Sequence, residues 1–155
     1  MKFNDLSNKT SPIIVFNIDS LLFKDTPKNT GFSDLIANVL TKDRNLYEYL
    51  NREVNQNVIY VINSIYMNYD YSIYLQTSMP DESYEALSAF LNEDIMLYYT
   101  SLIHDHGMDV LRRRLDLEYY IYVTNDYAEL QEINKGNAIH FTDITQYIKK
   151  LGRRK

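Results

Sequence analysis

Asn17 and Asp19 stand two residues apart at the end of the apolar run Pro12-Ile13-Ile14-Val15-Phe16, and two more short polar clusters close similar runs further along the chain. Thr77-Ser78 follows Tyr71-Ser72-Ile73-Tyr74-Leu75-Gln76, and Asn125-Asp126 follows Tyr120-Ile121-Tyr122-Val123-Thr124, with Arg112, Arg113 and Arg114 in the interval between. The acids Asp19 and Asp126 can move protons or hold a hard cation, and the hydroxyls can bond an anionic oxygen. Asn17 offers a neutral amide with no anionic oxygen. Bland roles stand beside these: Thr77 and Ser78 suit a turn ahead of Pro80, Asp19 suits a loop cap, and the arginines suit a solvated helix face.

The elements that must position these groups follow from the hydrophobic pattern. A short continuous apolar run reads as a strand buried on both faces, and in an open parallel α/β sheet ligands bind at the carboxyl ends of such strands. Strand-like segments at residues 13–17, 71–77, 95–99, 119–124 and 138–141 alternate with helix-like ones, the signature of an α/β fold. Helices are expected at residues 33–40 with Ser33 as N-cap, 81–92 with Asp81 near its start, 108–115, 127–133 and 144–151. A turn is expected at Asn134-Lys135-Gly136. Between residues 44 and 68, apolar residues from Leu46 to Tyr66 recur every three or four positions. That spacing predicts one long amphipathic helix with a weak point near Asn55 to Asn57, long enough to project beyond a sheet face towards the insert, another subunit or a partner.

The order of these motifs resembles the haloacid dehalogenase-like (HAD) phosphohydrolases, nearest to the small 5′(3′)-deoxyribonucleotidase-type phosphatases. The first motif of that family ends Asp-x-Asp; here it ends Asn17-Ile18-Asp19. The resemblance implies a single domain over residues 1–155: a three-layer Rossmann-like parallel sheet of about five strands, with a helical cap-like insert at about residues 22–69. The implied strand order is fifth, fourth, first, second, third. It further implies that Thr77 and Ser78 bond a phosphoryl oxygen, that Arg113 or Arg114 neutralises phosphate charge, and that Asp19, Asn125 and Asp126 form the magnesium site. With Asn17 in place of the nucleophile no aspartyl-phosphate can form, and loss of carboxylates at positions 17 and 125 weakens magnesium binding. The expected protein is a catalytically impaired HAD-like chain, phosphatase-like in build, that binds a phosphorylated small molecule, a nucleotide or a protein partner. The alternative is an active magnesium-dependent nucleotidase in which Asp19 activates water directly.

Composition narrows the setting. The chain has 155 residues, 45% hydrophobic and 24% charged, which suits one soluble globular domain. A net charge of −5 and a pI near 5.1 provide no global attraction to nucleic acid or anionic membrane. The basic segment 149–155 holds five of the 16 Lys and Arg residues and is expected as a frayed, solvated terminus, with nucleic-acid or partner contact as the alternative. Absence of cysteine, of an apolar leader and of any span of about 18 apolar residues sets cytoplasm as the expected compartment. Richness in Asn, Ile and Tyr hints at an AT-rich phage or bacterial gene, the host cytoplasm being the compartment if phage-encoded. The 15 tyrosines fit core and surface packing first, and a partner-binding patch or homo-oligomer contact second. His104-Asp105-His106 lacks a third convergent metal ligand, and His140-Phe141-Thr142 lacks the second copy that two-histidine phosphoesterases require.

Overall fold

The computed structural model of the chain describes residues 12–27, 32–40, 42–104, 120–132 and 138–155. In chain order the first elements are β1 (Ile13–Asn17), α1 (Ile18–Leu21), β2 (Phe23–Pro27), α2 (Asp34–Leu40), α3 (Arg44–Leu50), β3 (Arg52–Val54) and α4 (Gln56–Asn68). There follow β4 (Ser72–Thr77), α5 (Tyr84–Ala89), β5 (Ser101–His104), β6 (Tyr120–Thr124), α6 (Tyr127–Glu132), β7 (Ala138–His140) and α7 (Ile144–Leu151). Five strands form a parallel sheet in the order β5-β4-β1-β6-β7. This is a Rossmann-like α/β arrangement with the expected strand order.

β1 is unbroken in its apolar character because it is central. Hydrogen-bonded to β4 on one side and β6 on the other, it has no edge, and Ile14, Val15 and Phe16 are fully buried. Alternation divides the sheet between two faces. Ile14, Phe16, Ile73, Leu75, Ile121 and Val123 join the larger core, to which α4 contributes Val58, Ile62 and Ile65 and α7 contributes Ile144 and Ile148. Val15, Ile103, Tyr120 and Tyr122 pack on the other face. No helix among the described residues is long and apolar enough to cross a membrane.

Three expectations from the sequence are corrected here. The apolar alternation at residues 95–99 is not a strand; β5 begins at Ser101. The helix before it widens into a π-helical turn at Phe90–Asp94, and the backbone N–H groups of Ile95, Leu97 and Tyr98 go to Phe90 O, Leu91 O and Asn63 Oδ1. Those bonds leave no ladder to form, and Met96 sits at φ 54°. The periodic segment 44–68 is not one helix. Asp43 caps α3 by accepting from Leu46 N at 3.0 Å, and the chain then extends through β3, which pairs antiparallel with β2. Asn55 restarts the helix by accepting from Asn57 N at 3.2 Å. Both helices face one core, so the apolar period continues across a break that the polar capping residues create. The insert is thus helical plus a two-stranded sheet. Ser33 precedes α2 and its carbonyl accepts from Ala37 N, but its buried hydroxyl bonds nothing, so it is no side-chain cap. The sequence-predicted helix at 108–115 and turn at 134–136 lie outside the described residues.

The basic terminus also departs from expectation. α7 ends in a left-handed Gly152 (φ 72°), the residue best able to adopt that conformation, and the chain turns back onto the junction of α4 and β4. Asp70 N donates to Arg153 O at 2.7 Å and Lys155 N to Asn68 O at 2.8 Å. Arg153 grips Asp70 through Nη2 to Oδ2 at 2.9 Å and Nε to the backbone O at 3.2 Å. Arg153, Arg154 and Lys155 lie 5.8, 5.8 and 5.5 Å from the ring centroids of Tyr71, Tyr69 and Tyr66. The segment is docked rather than frayed, and it gives part of the tyrosine excess a packing role. Because Asp70 is well exposed, its ion pair is screened. Truncation after Gly152 is expected to cost about 1–2 kcal/mol, read as a Tm lower by about 2–8 °C in calorimetry.

Candidate functional site

Parallel strands bring Asn17, Thr77 and Thr124 to one edge of the sheet, and each strand leads into a helical segment. β1 passes directly into α1, so Asp19 lies in the first helical turn and points to the β4 side. Its Oδ1 accepts from Thr77 Oγ1 at 2.7 Å and from the hydroxyl of Tyr49, and its Oδ2 accepts from Ser78 N at 2.7 Å. Thr77 Oγ1 in turn accepts from Met79 N at 3.2 Å. Both carboxylate oxygens are therefore engaged. Tyr49 comes from α3 in the insert, held by an edge-on contact with Phe23 and by the Arg52 guanidinium 5.2 Å from its ring centroid.

On the β6 side, Asn17 Nδ2 donates to Glu129 Oε1 at 2.5 Å and lies 3.5 Å from Thr124 Oγ1. Thr124 Oγ1 donates to the same Glu129 oxygen at 2.7 Å, and Tyr122 OH to Glu129 Oε2 at 2.9 Å. The Ser20 hydroxyl ties the strands together, 3.1 Å from Asn17 O and from Thr124 Oγ1, and it accepts from Asn125 N at 3.1 Å. Asn17 is only 7% exposed. Its amide orientation follows from Glu129: exchanging its oxygen and nitrogen would set two acceptors 2.5 Å apart. Asn17 Oδ1 is left buried without a partner, as is Asn125 Oδ1. Each such orphan costs about 1–3 kcal/mol.

The remaining expected groups divide. Asp126 donates its N–H to Thr124 Oγ1 at 3.0 Å, but its exposed carboxylate accepts from Ala128 N at 2.9 Å and so caps α6. Arg112, Arg113 and Arg114 lie outside the described residues, as do Asp105 and His106. His104, at the end of β5, places Nδ1 2.9 Å from Met79 O; a carbonyl only accepts, so Nδ1 donates, and the buried Nε2 has no partner. His140 Nδ1 accepts from Thr142 N at 3.3 Å, with Tyr127 stacked on its ring. No group of three or more His, Cys, Asp or Glu side chains disposed around a metal position occurs among the described residues.

Two phenols are held protonated as donors to this edge. Tyr49 is pushed well above the ordinary tyrosine value of 10.0 by burial and then by the charge of Asp19. Tyr122 is raised far above the same value, again by burial first and by Glu129 second.

Sequence reasoning missed Glu129, Tyr49, Ser20 and Tyr122. Glu129 had a local signal, an acid in the first turn of the helix that follows a strand end. Tyr49 had none, being 30 residues from the Asp19 it bonds. Comparison with protein-family models, curated proteins and solved structures finds no match to this chain.

Two outcomes are expected. Glu129→Ala removes the acceptor shared by Asn17, Thr124 and Tyr122, and should lower stability by about 2–4 kcal/mol in urea denaturation, while Glu129→Gln, which keeps an acceptor, costs less. For pH, a phenol whose folded value is raised stabilises the fold fully below the unfolded value of 10.0 and ever less above it. Spectrophotometric titration at 295 nm should find Tyr49→Phe and Tyr122→Phe removing late-ionising phenols, with stability of the native chain falling as pH rises through 10.

Proposed function

We propose that this chain is a HAD-like protein that binds a ligand at the carboxyl edge of its sheet and does not hydrolyse it. The observation that carries this reading is the state of position 17. Where the resemblance requires a nucleophilic carboxylate there is an amide, and its nitrogen is spent on Glu129 and Thr124. The neighbouring acid is already heavily used: Asp19 accepts from Tyr49 and Thr77 at Oδ1 and from Ser78 at Oδ2, three of the roughly four acceptor sites of a carboxylate, which counts against it as the base that activates water.

The strand order, the insert after the first strand and the placement of Thr77 and Ser78 against Asp19 all support the family likeness. The donor set fits magnesium poorly. Magnesium requires hard oxygens in near-octahedral geometry. Here Asn17 and Asn125 offer neutral oxygens, Asp19 is already bonded three times, and Asp126 caps a helix. A phosphorylated ligand is what the resemblance implies, with Arg113 and Arg114 as its counter-charges. A protein partner would use the exposed aromatic and thioether groups, among them Tyr60 and Met96.

The deciding assay measures p-nitrophenyl phosphate and nucleoside monophosphate turnover with magnesium for the native chain, Asn17→Asp and Asp19→Ala. The native chain is expected to be inactive. Robust native turnover that disappears in Asp19→Ala would establish the nucleotidase alternative instead.

A further inference from the structure

A second surface, sharing no residue with the strand-end site, lies between α4 and α7. Residues of both helices line a cleft of about 90 Å³. Its floor is apolar, with Ile65 and Ile148 buried and Val61 half-buried; Tyr69 and the 72% exposed Tyr60 form its walls, and the exposed Lys149 stands on its rim. The space suits one side chain and not a small-molecule ligand, whose pockets start near about 300 Å³. Charge on this face runs against the rest of the chain. α4 has no charged residue among its 13, although the outer face of a surface helix ordinarily carries them. The only charges on α7 are Lys149 and Lys150 in its last turn, with Asp143 at the opposite end. The terminal segment adds Arg154, whose guanidinium is held 5.8 Å from the ring centroid of Tyr69, a wall of the cleft. Asp70 is taken by Arg153, and among the described residues no carboxylate pairs with Lys149, Lys150 or Arg154. A protein of net charge −5 thus keeps an apolar cleft inside a positive border.

Size and charge complementarity together select the occupant. We infer that the cleft between α4 and α7 docks an acidic peptide segment of a partner protein, which lays one aliphatic side chain on the Val61, Ile65 and Ile148 floor and sets its carboxylates against Lys149 and Arg154. Removal of that side chain from water supplies affinity, and the charges supply orientation and a faster encounter. A second copy of this chain meeting the face symmetrically would set Lys149 and Arg154 against like charges. Nucleic acid would satisfy the cations through its phosphates but brings no aliphatic group to the floor. The inference goes beyond the reading of the strand-end site and stands or falls apart from it.

The test is an NMR titration of the nitrogen-labelled full chain with the peptide acetyl-Asp-Glu-Leu-Glu-Asp-amide, beside the same peptide with serine for leucine and the peptide acetyl-Lys-Lys-Leu-Lys-Lys-amide. The acidic leucine peptide is expected to shift the amides of Val61, Ile65, Ile148 and Lys149 saturably. The serine peptide should bind roughly tenfold more weakly, and the lysine peptide should leave these amides unmoved. Lys149→Glu and Tyr60→Ala, both at exposed positions, should each weaken the leucine peptide by roughly fivefold or more, with circular dichroism confirming the fold. No saturable shift with the leucine peptide, equal binding of the serine or lysine peptide, or binding that survives both substitutions overturns the inference. So does saturable binding at this face of a single-stranded oligothymidylate or of phosphatidylserine vesicles in place of the peptide, or a dimer that Lys149→Glu dissolves.

Discussion

β1 is bonded on both sides, and everything at the candidate site is placed by that fact. Its ladder with β4 brings Thr77 and Ser78 beside the first turn of α1, and its ladder with β6 brings Thr124 and Asn125 beside Asn17. A strand with two partners cannot slip by one residue without turning its whole core face outward, so the register that buries Ile14 and Phe16 also fixes which polar groups meet at the edge. The helices then lock the arrangement from outside the sheet: α1 carries Asp19 and Ser20 over the strand ends, and α6 returns Glu129 to Asn17.

The two sides of this edge are bonded differently. On the β4 side the acid is the hub: Asp19 collects a phenol, an alcohol and a backbone N–H. On the β6 side Glu129 is the hub and the amide of Asn17 is one of its donors. An aspartate at position 17 would face that same carboxylate at 2.5 Å with like charge. Asn17 and Glu129 therefore belong together, and the amide has a structural reason to be there besides the loss of a nucleophile.

The parts of this legible in sequence were those set by local pattern. Strand runs 13–17, 71–77 and 119–124 were readable because central parallel strands are apolar on both faces; of the polar groups closing them, Asp19, Thr77 and Ser78 do meet, whereas the Asp126 carboxylate turns away to cap α6. Residues 95–99 misled because a linking segment that buries Leu97 shows the same alternation as a strand. The break between α3 and α4 showed in the sequence only as a weak point near Asn55 to Asn57, because both helices pack on one core and keep one period. Glu129 and Tyr49 were hidden for another reason: they act across 112 and 30 residues of chain, and no single-sequence pattern encodes which distant partner a side chain finds. The docking of Arg153 onto Asp70, 83 residues away, is the same case.

Counting protons on the β6 side explains why its acceptors stay in surplus. Tyr122 has one phenolic hydrogen but lies within bonding distance of two acceptors, Gln76 Oε1 at 3.1 Å and Glu129 Oε2 at 2.9 Å. Thr124 has one hydroxyl hydrogen and uses it on Glu129; the Ser20 hydrogen serves either Asn17 O or Thr124 Oγ1. The Asn17 amide supplies two hydrogens, both turned towards Glu129 and Thr124, and the opposite side of that amide is its oxygen. The side-chain donors of Asn17, Tyr122 and Thr124 are thus directed inward at Glu129 or its bonded neighbours. Rotating any one hydroxyl satisfies one acceptor by stripping another. The deficit belongs to the composition of the cluster, an acid surrounded by groups that spend their protons on it.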